Sequence, residues 1–437
     1  MTQFISPTLP EVHRTMHVPS QKGFWRKLLA FAGPGYLVAV GYMDPGNWAT
    51  DLAGGSKYNY SLLSVILLSS LLAMFLQYLA LKLGIATGTD LAQLCRRHYG
   101  KKASVCLWIF AEIAIAACDL AEVLGSAIAL NLLFHLPLLV GVVITTLDVL
   151  LLLLLQQKGF RYIEAIVITL IATIAGCFAL ELFFSRPEIL PILHGFLPTA
   201  TIVSDPEKLF IAIGIIGATV MPHNLYLHSS IVQTRRYPLD SMGKKEAIRF
   251  ATIDSNIALT LAFAVNSAIL ILAAATFYRA GRTDVAEIQD AFKLLTPMLG
   301  VAGAGTLFAV ALLASGQNST LTGTLAGQII MEGFVHIRIA PWMRRLITRM
   351  LAIIPAFIVI AIAGEGSTTR LLLVSQVVLS MQLSFAVIPL VQFTGNVSIM
   401  GEFVNAAWIR LIGWVMAAVI AGLNLCLLIV QFQTLSK

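Results

Sequence analysis

Eleven apolar runs, most of them long enough to cross a bilayer, leave this chain little choice but a bundle of membrane helices. They fall near 28–52, 60–86, 104–133, 137–156, 162–184, 208–233, 247–277, 300–334, 346–363, 371–394 and 408–432. A hydrocarbon core takes roughly 20 helical residues to span, and inside it every backbone N–H and C=O must find a partner within the protein. The links between runs are short, so no extramembrane domain is expected. The fold class is an all-α polytopic membrane protein of eleven transmembrane helices. Composition agrees: of 437 residues, 58% are hydrophobic and 12% charged, against roughly 25% charged in soluble domains. The first 26 residues are polar and lack the apolar stretch and small-residue cleavage site of a signal peptide. The five cysteines (Cys95, Cys106, Cys118, Cys177, Cys426) are scattered, with no CxxC or Cys/His cluster. That spacing indicates neither a disulfide framework nor a zinc site.

The net charge of +7 would suggest a nucleic-acid partner in a soluble protein. Its placement gives another reading. With the N-terminus in the cytoplasm, 21 of the 29 Lys and Arg residues fall on cytoplasmic segments, among them Arg96, Arg97, Lys101, Lys102, Arg235, Arg236, Lys244 and Lys245. That bias orients a membrane protein, so the basic charge reports topology and no nucleic acid is needed. An odd number of crossings puts the C-terminus outside.

Two of the runs are broken. The first contains Asp44-Pro45-Gly46-Asn47 and the sixth Met221-Pro222-His223-Asn224. Pro45 and Pro222 remove a backbone donor and clash with the preceding turn. Asp44 is a carboxylate near mid-membrane, which costs roughly 2.5–3.5 kcal/mol on insertion scales. Such breaks survive at membrane depth only where protein or a water-filled cavity satisfies them. One proline kink is common in membrane helices; a matched pair five helices apart is not. An odd offset means a second five-helix unit enters from the opposite side, and broken helices at corresponding positions of inverted halves mark a transporter's midplane site. The organisation expected is a cytoplasmic segment (1–26), a first five-helix repeat (27–184), a second inverted repeat (185–394), and an eleventh helix with the C-terminus (395–437).

The residues at the breaks have a chemistry. Asp44 and Asn47 offer oxygen ligands three residues apart, Met221 a thioether, and Ala218 a backbone carbonyl one turn earlier. Oxygen alone would suit Mg²⁺ or Ca²⁺, whereas a soft sulfur favours later transition metals. The set reads as a site for Mn²⁺, Fe²⁺ or neighbouring ions, of moderate affinity because a transported ion must also leave. Most of the 13 methionines are packing residues, and only its place beside Pro222 sets Met221 apart.

The paired breaks resemble the motifs of the first and sixth helices in the Nramp family of proton-coupled divalent-metal transporters. A third stretch is similar to that family's eighth-helix signature: Gly316-Gln317-Asn318-Ser319-Thr320, Thr322-Gly323-Thr324, Ala326-Gly327-Gln328 and Met331-Glu332-Gly333. Asn318 stands where a small hydroxyl residue is frequent. The resemblance covers almost the whole chain. It implies the LeuT-type fold, eleven helices, a bacterial plasma membrane and metal uptake driven by protons. By position it implies Asp44, Asn47, Met221 and the Ala218 carbonyl as ligands, Gln376 as one that enters the shell in some states, and a carbonyl contribution from Gly41.

Glu112, Asp119 and Glu122 are separated by seven and three residues in the third run and share one helical face. Three acids on one face do not look at lipid; they line a polar path or a structural ion-pair network. Arg344 and Arg345 at the start of the ninth run are their natural partners. The resemblance favours a proton route from Asp44 along this face to the cytoplasm. His223 and His228, five apart, lie on different faces; a gating or proton-tuning role is assigned to His223 and, more weakly, to His228. Asp148, Asn266 and Asn424 are further intramembrane polar residues. An interhelical hydrogen bond is the reading for Asn266, and no role follows for Asp148.

The function expected is import of Mn²⁺, Fe²⁺ and similar ions (Co²⁺, Cd²⁺) with protons by alternating access. Pro45, Gly46, Gly217 and Pro222 form the hinges. The partners are metal ions, protons and lipid, there is no resident cofactor, and the unit is a monomer. The alternatives are a symporter of the same fold for an amino acid, Na⁺ or Mg²⁺, or a metal-permeable channel. Enzyme activity is not expected, because no HExxH, GxSxG or paired-Asp motif is present.

Overall fold

In the computed structural model of the chain, the structure describes residues 7–19, 23–145, 159–283, 285, 287–335, 340, nine positions between 343 and 358, and 368–435. Nearly all of them are helical. In chain order the helices used below are α1 (Phe24–Phe31), α2 (Pro34–Gly41), α3 (Pro45–Tyr58), α4 (Leu63–Thr87), α5 (Leu91–His98), α6 (Lys101–Phe134), α7 (Phe160–Ser185), α8 (Pro206–Thr219), α9 (Pro222–Ile231), α10 (Ser241–Thr276), α11 (Ile288–Leu299), α12 (Ala304–Val335), α13 (Thr368–Thr394) and α14 (Ala407–Leu435). A two-residue parallel pairing joins β1 (Met16–His17) to β2 (Arg235–Arg236).

Among the described residues, seven helical stretches are long and apolar enough to cross a membrane. The fourth run ends within 146–158 and the ninth lies largely within 344–367, so Asp148, Arg344 and Arg345 fall outside the described residues. The first run is three helices, α1 to α3, each too short to span alone. Exposed Leu68, Ile113, Phe183, Leu411 and Trp414 present the apolar exterior that lipid requires.

Helix ends follow local chemistry. Asp44, Asp90 and Asp240 cap α3, α5 and α10, each carboxylate accepting from the backbone N–H three residues on. Both interruptions restart on proline at the first helical position, where its missing N–H costs nothing. At the first, α2 stops at Gly41 and Asp44 is extended. At the second, α8 stops at Thr219 and Met221 is extended. The resulting half-helices sit within the bundle, α3 walled chiefly by α10 with α8, α13 and α6, and α9 by α4, α12 and α13. Close approach is made by small residues. A Cβ on Gly316 would lie 2.2 Å from the Ser126 hydroxyl, and one on Gly333 would lie 2.5 Å from the Ala92 side chain.

The start of α2 is held by a buried charged network. Arg235 is fully buried and its guanidinium donates to Glu164 Oε1 at 2.6 Å and to the carbonyls of Phe31 and Ala32. Asp254 accepts from the N–H groups of Gly33 and Gly35. Gly33 has φ +141°, and a Cβ there would sit 2.3 Å from the Glu164 carboxylate, so glycine is required. Without Arg235, the buried Glu164 carboxylate keeps only the half-exposed Arg161, 2.9 Å from its Oε2, and the Phe31 carbonyl loses its guanidinium donor. Arg235→Met is therefore expected to destabilise the protein by about 3 kcal/mol, read as an earlier unfolding transition in detergent; an unshifted transition would contradict this role.

Candidate metal site

The two interruptions meet. The side-chain nitrogen of Asn47 lies 2.5 Å from Asp44 Oδ1, 3.1 Å from the Ala218 carbonyl oxygen and 3.5 Å from that of Gly41. Three oxygens from three segments therefore converge on one electropositive atom. Met221 comes from the other break: its sulfur would lie 3.2 Å from a Cβ on Gly41, and the Asn224 amide nitrogen 2.2 Å from it. Gly41 is thus a glycine because Met221 and Asn224 occupy the space beside it. Gln376, on α13, completes the cluster. A Cβ on Gly46 would fall 1.7 Å from its side-chain nitrogen, and one on Gly217 would fall 2.9 Å from its backbone carbonyl oxygen and 2.5 Å from Ser380 Cβ. Both glycines assigned as hinges are also points where α3 and α8 touch α13.

Asp44, Asn47, Ala218, Met221 and Gln376 are each no more than 1% exposed. Among the described residues, the buried acceptors Asp44 Oδ2, Gln376 Oε1 and Asn224 Oδ1 have no hydrogen-bond partner. Unpaired buried acceptors are costly, and a cation placed among them supplies what they lack. The donor set therefore fits a divalent cation. Among the described residues no group of three His, Cys, Asp or Glu side chains could hold a metal. A single carboxylate with neutral donors suits an ion that is bound and then released.

The acids of α6 are placed in part as their spacing implies. Asp119 and Glu122 are buried, and both flank Gly323 of α12. Glu122 accepts from Thr320 at 3.1 Å and from the Cys118 thiol at 3.4 Å. That thiol lies 3.9 Å from His223 Nε2. Cys118 also packs against Met221, with Ala114, Ala117 and Leu379. A line of polar contacts thus runs from the second break to the acidic face. Glu112 is half-buried and accepts from the Trp108 indole at 3.0 Å.

His228 is elsewhere. Its Nδ1 lies 2.9 Å from Gln77 Oε1 on α4, and Gln77 donates to the Tyr42 hydroxyl at 2.8 Å. The structure therefore ties α9 to the first break through α4, away from the acids. The Asn266 amide donates to the Tyr42 carbonyl at 2.7 Å, the interhelical bond expected of it, and Asn424 exchanges two bonds with Ser380 of α13. Sequence reasoning misses Cys118, Thr320, Tyr42 and Gln77. It also passes over four buried carboxylates, Asp51 of α3, Glu164 and Glu181 of α7 and Asp254 of α10, although an acid within an apolar run is itself the signal.

An all-α membrane protein with two interrupted helices meeting at a buried mixed-donor site falls in the LeuT-type class of transporter folds. A likeness at the level of fold alone supports this: Mhp1, a nucleobase-cation-symport-1 family transporter, superposes with a TM-score of 0.61 at 15% identity over 90% of each chain. The chain belongs to the Nramp family, whose model, described as natural resistance-associated macrophage protein-like, matches residues 35–430. A divalent metal cation transporter MntH of Nostoc sp. is 63% identical over 97% of this chain and 96% of that protein. The crystal structure of a manganese transporter from Eremococcus coleocola matches with a TM-score of 0.91 at 44% identity, covering 96% of this chain and 90% of that one.

Proposed function

We propose that this protein imports divalent transition-metal ions, Mn²⁺ and Fe²⁺ foremost and Co²⁺ or Cd²⁺ as well, together with protons by alternating access. The observation that carries the reading is the convergence of the Asp44 carboxylate and the Gly41 and Ala218 carbonyls within 3.5 Å of the Asn47 side-chain nitrogen. The ion takes the place of the Asn47 Nδ2 group, and Asn47 turns its amide to present oxygen. Met221 supplies sulfur and Gln376 joins from α13. Metal binding requires the ionised carboxylate of Asp44, so proton and metal interact there. The released proton moves by way of His223 and the Asp119–Glu122 face toward Glu112.

In this reading eleven helices cross a bacterial plasma membrane, with the N-terminus in the cytoplasm and the C-terminus outside. Segments 27–184 and 185–394 form the inverted repeats, and 395–437 is appended to them. The protein acts as a monomer embedded in lipid. Motion is concentrated where helix is already interrupted, at Pro45, Gly46, Gly217 and Pro222.

Proteoliposomes carrying a metal-quenched dye test the function. Mn²⁺ and Fe²⁺ quench it, an inside-alkaline gradient accelerates quenching, and internal unlabelled Mn²⁺ drives counterflow of labelled Mn²⁺. Absence of quenching defeats the reading, and uptake without counterflow points to a channel. A pH-sensitive dye separates the proton branch. Asp119→Asn is expected to cut metal-induced proton entry about tenfold, or 1.4 kcal/mol, while Mn²⁺ affinity changes less than about threefold. Equal loss of both would place Asp119 in binding.

A further inference from the structure

The segment ahead of α1 is not a free tail. Leu9 and Thr8 are 2% and 5% exposed. Thr8 donates to Asp90 Oδ2 at 2.8 Å, and its hydroxyl lies 2.8 Å from that of Ser230. The Leu9 N–H donates to Glu332 Oε2 at 3.2 Å. These partners belong to three elements: Asp90 caps α5, Ser230 is in the last turn of α9, and Glu332 is in the last turn of α12. Two residues therefore bridge the end of a half-helix to the walls around it.

The rest of the segment is fastened. The Arg14 N–H donates to the Gln233 carbonyl at 2.9 Å, and its guanidinium donates to the Tyr237 carbonyl at 2.7 Å and lies over that ring. Met16 and His17 pair with Arg235 and Arg236. Leu9 and Arg14 have φ of +49° and +55°, a conformation that non-glycine residues seldom adopt unless their surroundings hold them there. One end of the strap is thus anchored on the connection between α9 and α10, and the other is pushed between α5, α9 and α12.

We infer that residues 7–17 are a bolt across the face that carries the N-terminus, and that Thr8 and Leu9 must withdraw before this face opens. The inference rests on the alternating-access reading above. Opening requires α9 to separate from α5, and Thr8 spans the two. The strap then acts as a positioning element that keeps this face shut while the opposite face is open.

A cysteine pair tests it. The hydroxyls of Thr8 and Ser230 touch at 2.8 Å, so thiols carried on the same β-carbons can meet, and a small side-chain rotation brings them to a disulfide. In Thr8→Cys/Ser230→Cys, oxidation is expected to lower Mn²⁺ uptake by proteoliposomes at least tenfold, with full recovery on reduction and no effect of oxidant on either single variant. Cross-linked protein, confirmed by mass spectrometry, that transports at half the reduced rate or more overturns the bolt. A second readout does not depend on transport. Cys95, on α5, is fully buried and lies five residues after Asp90. In Thr8→Ala/Leu9→Ala, its alkylation by N-ethylmaleimide, mapped by peptide, should be at least tenfold faster than in the parent protein. An unchanged rate in a folded variant overturns the bolt even if the parent protein carries no metal, whereas a parent that fails to transport defeats only the function proposed above.

Discussion

Asp44→Asn is expected to reduce Mn²⁺ uptake at least 100-fold, a loss of about 2.7 kcal/mol. The substitution keeps the size of the side chain and its capping ability, since Asn and Asp are nearly equivalent at a helix N-cap. The backbone N–H of Asn47 at 2.9 Å can therefore still be capped, and α3 still starts at Pro45. What disappears is the one charge among the proposed donors. Two buried amides, that of Asn47 and the one introduced at position 44, then face each other where carboxylate and amide met at 2.5 Å. At most one of them can present oxygen without leaving a donor unpaired. The variant should purify as a folded protein and fail to bind metal by calorimetry. Near-normal uptake would remove Asp44 from the site.

Met221→Ala is expected to change selectivity more than affinity for Mn²⁺. Sulfur contributes little to the binding of hard cations, so losing it lowers the barrier that Ca²⁺ and Mg²⁺ meet in competition. Competition by Ca²⁺ should improve about tenfold, or 1.4 kcal/mol. Met221 also packs with Cys118, Ala114 and Leu379, so truncation leaves a cavity whose cost has nothing to do with metal. Met221→Leu separates the two effects, because it retains volume and removes sulfur. Both variants should show the relaxed selectivity if sulfur is a ligand. If only the alanine variant does, packing is the cause.

Much of the proposed site is legible in the sequence because lipid permits so few exceptions. A proline, a glycine and a carboxylate cannot share an apolar run without a compensating environment, so both breaks stand out from the order of residues alone. Donor chemistry at the breaks then narrows the ligand. The acidic face of α6 is legible from its spacing. What is not legible is the pairing of residues far apart along the chain. The Gly33 and Gly35 N–H groups find Asp254 from positions 221 and 219 residues away, Gln77 finds His228 across 151, and Thr8 finds Ser230 across 222. No local period announces such contacts. Cys118 escapes notice for another reason: a lone thiol in an apolar run reads as packing, and only its neighbours Glu122 and His223 give it a place in a polar line. Gly46 and Gly217 read as hinges from sequence, and the structure adds that each lets a half-helix touch α13.

One divalent ion is expected to sit between the two helix breaks, held by donors from both. Anomalous diffraction from crystals soaked in Mn²⁺ tests it most directly. A single strong peak is expected, bounded by the Asp44 carboxylate, the Asn47 side chain, the Ala218 carbonyl and the Met221 sulfur, and lost in Asp44→Asn. A peak elsewhere in the bundle, or none at saturating Mn²⁺ in crystals of the protein that transports it, would rule this site out.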